Sequence, residues 1–402
     1  MGTAVAALLV LAGAAGLPSL RQAGAATRST RPAGSHPVGA QIPCSTSVAQ
    51  TSTLANVATH FVSGLQSPFG VAFAPGTHHV IIDALPSGSA SNGPSALDEY
   101  LTTSSGLLRV RSGSVAADML VGLAVSPNGR DLVAASGSGA AVLSLARMEQ
   151  PHTPPSSWLR GTLGSDGQNA IEAVVSPDDS TAFVTLEGSH KMGVFSLKRA
   201  ERAGFGPSDI VGYVPLGQLP VGMAVSPNGH YLYVTSERAS ATDRNGTLTT
   251  IDLRRAEQDP AHSIISTVWA GCGPVRVVAA GTSVYVTARE SDQVLQFSAS
   301  GLASHPTTAL TAHVGVGSAP VGLALVDHDR LLVIADSNRF GLGATSNLAV
   351  VSTDGAASLS LLGYVKAGGF PRDMAVSGDG KDLVVSNYGS GQVEDVVVAT
   401  LP

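Results

Sequence analysis

Short runs of alternating apolar and polar residues recur along the chain, each bounded by proline, glycine or small polar residues. "PVGMAVSPNGHYLYVT" at 220–235 shows the pattern most clearly: an apolar stretch, a Pro-Asn-Gly turn, then a stretch rich in β-branched and aromatic residues. A period of two sends successive side chains to opposite faces, so each run predicts a strand. "LVGLAVSPNGRDLVAA" repeats the phrase at 120–135. Seven copies exist in all. They open at Pro68, Leu120, Ala170, Pro220, Pro274, Pro320 and Pro371, with gaps of 52, 50, 50, 54, 46 and 51 residues. A repeat of that length signals a solenoid, a propeller or an array.

The content of a copy decides among these. After the first strand and its turn come "YLYVTS", "AFVTL", "SVYVTA", "LLVIAD" or "DLVVSN". A third strand follows, as in "AAVLSL" or "MGVFSL", and a fourth leads into the next copy, as in "DIVGYVPLG". Four short antiparallel strands make a propeller blade. One such sheet has two apolar faces and cannot bury them alone; stacking blades in a ring buries both. The expected fold is therefore all-β, a seven-bladed β-propeller over 45–402 with no second domain. The seventh copy reaches "ATLP" with only three strands, and a spare strand, "NVATHFVSGL", stands at 56–65 before the first copy. That N-terminal strand is expected to complete the last blade. The links "LARMEQP", "LKRAERAGFGP" and "LRRAEQDP" are too short for stable helices and are expected to form one outer turn each.

The phrase resembles the secreted YVTN-type propeller repeat, "P-x-G-x-A-x-S-P-N-G…L-Y-V-T", closely at 220–235 and recognisably over 68–398. The last copy, "GGFPRDMAVSGDGKDLVVSNYGSGQV", is also similar to the final blade of lactonase-like propellers, a group that includes hydrolases of cyclic esters and cycloisomerases. WD-type and kelch signatures are absent. The resemblance implies the fold more than an activity. The lactonase-like enzymes carry Pro-Arg-His on an inner strand and Asn-Glu at the end of the next. Glu237 in "TSER" matches that Glu, but "PVG" at 220–222 stands where Pro-Arg-His belongs; the nearest runs are "PVR" at 274–276 and "PRD" at 371–373. The acid–base histidine of that route is thus missing. Enzyme activity is left open, with a binding scaffold preferred.

Two rings of positions face one mouth of the channel. The third residue of each copy is Gly70, Gly122, Glu172, Gly222, Arg276, Gly322 and Asp373. The end of the second strand in copies two to seven reads Gly137, Glu187, Glu237, Arg289, Asp336 and Tyr388. Glycine is the norm in the first ring, as expected where backbones crowd the axis. Charges concentrate here although only 13% of the chain is charged. Two readings follow. Either Glu172, Arg276 and Asp373 pair with one another at a wet rim, or Arg276, Arg289 and Arg372 clamp an anionic ligand. In a lactonase variant of the second reading, Glu172 or Glu237 acts as general base.

Composition sets outer limits. A net charge of -6 without basic runs excludes a nucleic-acid partner. The apolar run Ala4–Leu17 suits a secretory signal peptide over 1–26, although no Lys or Arg precedes it; an uncleaved anchor is the alternative. Residues 27–44, rich in Ser, Thr, Arg, Pro and Gly, read as a disordered leader. The expected location is secreted or cell-envelope, as a monomer with no span in the mature chain. Its partner would be a small anion or a peptide or protein at the mouth. Cys44 and Cys272 are the two cysteines; one disulfide and two unrelated thiols are both open. His78 and His79 are neighbours facing opposite ways, and Asp178, Asp179 and "DHD" at 327–329 read as solvated turn residues, so no metal and no cofactor is expected.

Overall fold

The computed structural model describes residues 36–45, 48–49, 51–85, 95–117, 119–150, 152–341, 346–354 and 358–402. The predicted signal peptide and the first part of the leader lie outside the described residues. Seven four-stranded antiparallel sheets form, one per copy. Six follow chain order. The seventh takes Pro371–Val376, Asp382–Asn387 and Gln392–Val397 from the C-terminus and Thr59–Ser63 from the N-terminus. Thr59 pairs with Val396 and Ser63 with Gln392, so the spare strand does close the ring.

Apolar side chains gather between blades. Val133 and Val142 of blade two pack with Ala173 and Val184 of blade three. Val71 and Ile82 of blade one pack with Val384 and Val393 of blade seven, across the closure. Each such Val or Ile side chain contributes roughly 1.5–3 kcal/mol by leaving water, which no isolated sheet could gain on both faces.

The repeat's recurring hydroxyls have identifiable work. In the turns, Ser126, Ser176, Ser226 and Ser377 each accept a hydrogen bond from the residue that opens the second strand, at 2.9–3.0 Å. In the second strands, the Oγ1 atoms of Thr185, Thr235 and Thr287 donate to Val221 O, Val275 O and Val321 O of the following blades, at 2.8–2.9 Å. Ser386 does the same to Phe69 O at 2.7 Å and ties the last blade to the first.

The outer links differ from the single turns expected. Leu145–Glu149, Leu197–Ala203, Leu253–Ala256 and Ala299–Ser304 are short α-helices. Their N-termini are capped by Ser144, Ser196, Asp252 and Ser298, and apolar pairs such as Leu197 and Ala200 are buried against the blades. Capping and docking supply the stability that length does not.

The leader also differs. Within 27–44, residues 36–44 pack along the ring's outer edge. Val38 pairs in parallel with Val268 on the outer strand of blade four, Ile42 is buried, and Cys44 is disulfide-bonded to Cys272. Farther on, Thr53 pairs with Tyr364 of blade six, and Leu54 packs with the core between blades six and seven. The chain thus covers exposed strand edges before it enters blade seven. Reduction, or Cys272→Ser, should lower unfolding free energy by about 2–4 kcal/mol, given a bridge across 228 residues. Chemical denaturation with and without reductant checks this: the native chain should fall to the variant's level, and the variant should not respond.

Blade seven also buries an acid. Glu394 accepts from Asn387 Nδ2 at 3.1 Å, and burial pushes its pKa up to about 7. A carboxyl raised in the folded state contributes its full stability below its unfolded pKa of 4.5 and loses it as pH rises through about 7. Glu394→Gln should therefore raise stability at pH 8 by up to about 3 kcal/mol and change little at pH 4.5. Thermal melts across that range are the check.

Candidate functional site

Each inner strand has a register irregularity near its start, for example between Pro220 and Met223 and between Pro274 and Val277. Such bulges re-aim side chains. The third residue of each copy is thereby turned toward the axis, and crowding there is real. A Cβ on Gly222 would sit 2.3 Å from Val275 O, and one on Gly322 would sit 2.7 Å from Arg372 O. Gly122, at φ +55°, would meet Ile171 O at 2.3 Å. In blades two to seven glycine alternates with a charged residue, because each large side chain needs a bare neighbour behind it.

The three charged residues meet. Arg276 Nη1 lies 3.0 Å from Glu172 Oε2, and Arg276 Nε lies 3.9 Å from Asp373 Oδ1. The Arg276 side chain is only 7% exposed, so this is a largely dry triad, one cation between two anions. Burial pushes the Glu172 pKa up to about 7 against the pull of Arg276, and burial also raises Asp373. The first of the two sequence readings, mutual pairing, describes these three residues.

The second ring holds another pair. Arg289 Nη2 donates to Glu237 Oε2 at 2.8 Å, both side chains nearly buried. Glu187 stands nearby and enters no ion pair among the described residues; burial raises its pKa, and the charge of Glu237 adds to the rise. Asp336 does not belong to the ring. It pairs with Pro320, as Ser236 pairs with Pro220 and Ala288 with Pro274, so it stands one position earlier than Glu237 and Arg289. A slip of one residue reverses the face of a strand. Asp336 is fully buried, and a Cβ on Gly317 would lie 2.2 Å from its carboxylate. Burial raises its pKa well above the ordinary range. Ser337 takes the ring position in blade six and donates to Ala319 O at 2.7 Å.

Arg276 and Arg289 are therefore committed to internal acids. Arg372 is not. Its guanidinium lies 3.6 Å from the Phe69 ring centroid, with Tyr388 and Phe370 at 5.7 and 5.8 Å. Among the described residues it has no carboxylate within ion-pair distance. Burial pulls its pKa down to about 9, and the positive charges of Arg276, Arg339 and Arg289 add to the fall. Arg339, in the loop after Leu331–Asp336, is exposed and near enough to Arg289, Glu237 and Glu187 to feel their charges. It too has no ion pair among the described residues. Arg339, Phe69 and Phe370 lie outside the two compared rings; in the sequence only "RF" within "DSNRFG" and the aromatic neighbours of two opening prolines hint at them. Asp83 replaces the recurring Thr or Ser in blade one. Asp83 accepts the Gly70 N–H, and burial raises its pKa well above the ordinary range.

A cleft of about 190 Å³ lies elsewhere, between blades two and three on the opposite face. Most of its charged lining residues are paired, as with Arg160 on Asp131 at 2.6 Å and Lys198 on Asp178 at 3.2 Å, so it offers less to a ligand than the mouth.

No family model matches the chain, and no curated protein does. Solved structures do. A chain of hydrazine synthase from Kuenenia stuttgartiensis superposes with a TM-score of 0.61 at 16% identity, covering 85% of this chain and 98% of that one. The β-propeller domain of Cps50 (Swd1) from Myceliophteria thermophila superposes with a TM-score of 0.61 at 12% identity, covering 84% and 99%. At these identities the likeness is one of fold.

Proposed function

We propose that this chain is an exported YVTN-type propeller that binds a small carboxylate-bearing or otherwise anionic ligand at its charged mouth. One observation carries the reading. Of the four arginines at the mouth, Arg276 and Arg289 are neutralised by Glu172, Asp373 and Glu237, whereas Arg372 and Arg339 have no acidic partner among the described residues. A planar guanidinium fixed on an aromatic face keeps its N–H edge for a second planar group, and a carboxylate fits it. Export is supported by the Cys44–Cys272 bridge, which suits an oxidising compartment, and by the apolar run Ala4–Leu17.

The test is calorimetric titration of the full chain with acetate, malonate, citrate and phosphate at pH 7 and low salt. One site is expected, weakened at least tenfold by Arg372→Ala without a fall in melting temperature. Equal affinity in that variant, or no binding to any of the four at millimolar concentration, would overturn the reading.

Lactone opening is supported by one observation, a Glu172 carboxyl held near neutrality. Against it stand the ion pairs that occupy Glu172 and Glu237. Lactone turnover at neutral pH that is lost in Glu237→Gln would select the enzyme. Tight envelope association with neither binding nor turnover would select a structural role.

A further inference from the structure

Blade one meets blade seven where the ring closes, and on the face opposite the mouth two of their turns come together. His78 precedes the blade-one strand His79–Ala84. Asp379 lies in the turn before the blade-seven strand Asp382–Asn387, and Asp382 opens that strand. One ring nitrogen of His78 and one carboxylate oxygen from each of Asp379 and Asp382 all lie within 4.8 Å of one another. His79 takes no part, since its Nδ1 lies 2.5 Å from Glu99 Oε1. The two imidazoles face different partners, and His78 faces two acids from another blade.

The three groups are held from behind. The Thr102 N–H donates to His78 O at 3.0 Å, and the Thr102 hydroxyl lies 3.5 Å from His78 Nδ1, which leaves Nε2 for another partner. Asp379 Oδ1 accepts from Ser377 Oγ at 2.8 Å and from the Lys381 N–H at 3.3 Å. Its Oδ2 meets only Lys381 Nζ, at 2.7 Å, on a side chain 73% exposed that can swing away. The Asp382 carboxylate has no hydrogen bond or ion pair among the described residues. Asp395 stands on the same face of the blade, since Asp382 pairs with Val397 and Val384 with Asp395. It is 1% exposed, and the only basic side chain within 4 Å of its carboxylate among the described residues is His60, through Nδ1 at 3.6 Å. The seam thus carries more negative charge than the surrounding side chains cancel.

We propose that His78, Asp379 and Asp382 form a divalent transition-metal site that ties blade one to blade seven. One imidazole and two carboxylates suit Zn²⁺, Co²⁺ or Mn²⁺, whereas Ca²⁺ and Mg²⁺ prefer oxygen alone. Zinc bonds of about 2.0–2.2 Å require the donors to draw in by roughly 1 Å, a small movement for exposed turn residues. Water completes the coordination. The metal joins the chain's first blade to its last, so binding resists opening of the ring.

The test is titration of the full, oxidised chain with ZnCl₂ and CoCl₂ at pH 7, followed by calorimetry and by melting temperature. One site is expected, with an upward shift in melting temperature. His78→Ala and Asp382→Asn should each weaken binding at least tenfold and abolish the shift. Lys381→Ala, which removes the competing ammonium, should tighten binding, and His328→Ala in an exposed turn of blade six should leave it unchanged. No binding at millimolar metal, or an affinity that His78→Ala leaves intact, would overturn the proposal.

Discussion

Deletion of residues 45–65 should abolish the cooperative unfolding transition. The segment supplies Thr59–Ser63, the outer strand of blade seven, and the stretch in which Leu54 covers blade six. Without it, Gln392–Val397 becomes an open edge. Glu394 and Asp395, which face that strand through Phe61 and His60, lose their cover. The seam between blades one and seven then opens, and both lose a buried face. Since each blade is stable only through its neighbours, the cost is the fold itself. Circular dichroism melts and calorimetry would read it. A truncated chain that melts with the native enthalpy would show that the closure is dispensable.

Arg276→Ala should destabilise the native state by about 3–5 kcal/mol at pH 8, because it leaves two facing carboxylates in a nearly dry site without their cation. The cost should shrink at acid pH. The Glu172 pKa is already about 7 beside Arg276, and that of Asp373 is raised. Removing the arginine raises both further, so on acidification the acids take up protons and the repulsion between them fades. Denaturation of variant and native chain at pH 5 and pH 8 measures this. A penalty below 1 kcal/mol at both pH values would mean that the triad is solvated and contributes little.

The blades were legible because a period of two within a period of fifty has few structural solutions. The turn serine recurs for a hydrogen bond inside its own blade and the strand threonine for one to the next blade, which is why the phrase survives in so many copies. The closing strand was legible as a simple deficit, three strands at one end and a spare at the other. Residues 36–44 were not, because Val38 joins blade four through its main chain, which leaves no mark on side-chain pattern.

The mouth was half legible. Counting from the opening residue placed Glu172, Arg276 and Asp373 together, and the glycines between them already implied crowding. Asp336 departs from that count, because the charge that ends "LLVIAD" stands one residue before the rim and Ser337 occupies the rim place. Which arginine is neutralised was beyond sequence, since Glu172 and Arg276 meet across blades with another between them. Arg339 lies in a loop outside the repeat, so comparison of copies could not reach it. Arg372 was named, but its aromatic seat was not, because Phe69 comes from the first blade and Arg372 from the last.

A crystal structure of the chain grown in citrate tests the central claim most directly. The account predicts a carboxylate on Arg372 and Arg339, with the Arg276–Glu172 and Arg289–Glu237 pairs intact. A citrate seated on Arg276 or Arg289 with its glutamate displaced, or no anion at the mouth at saturating citrate, would contradict it.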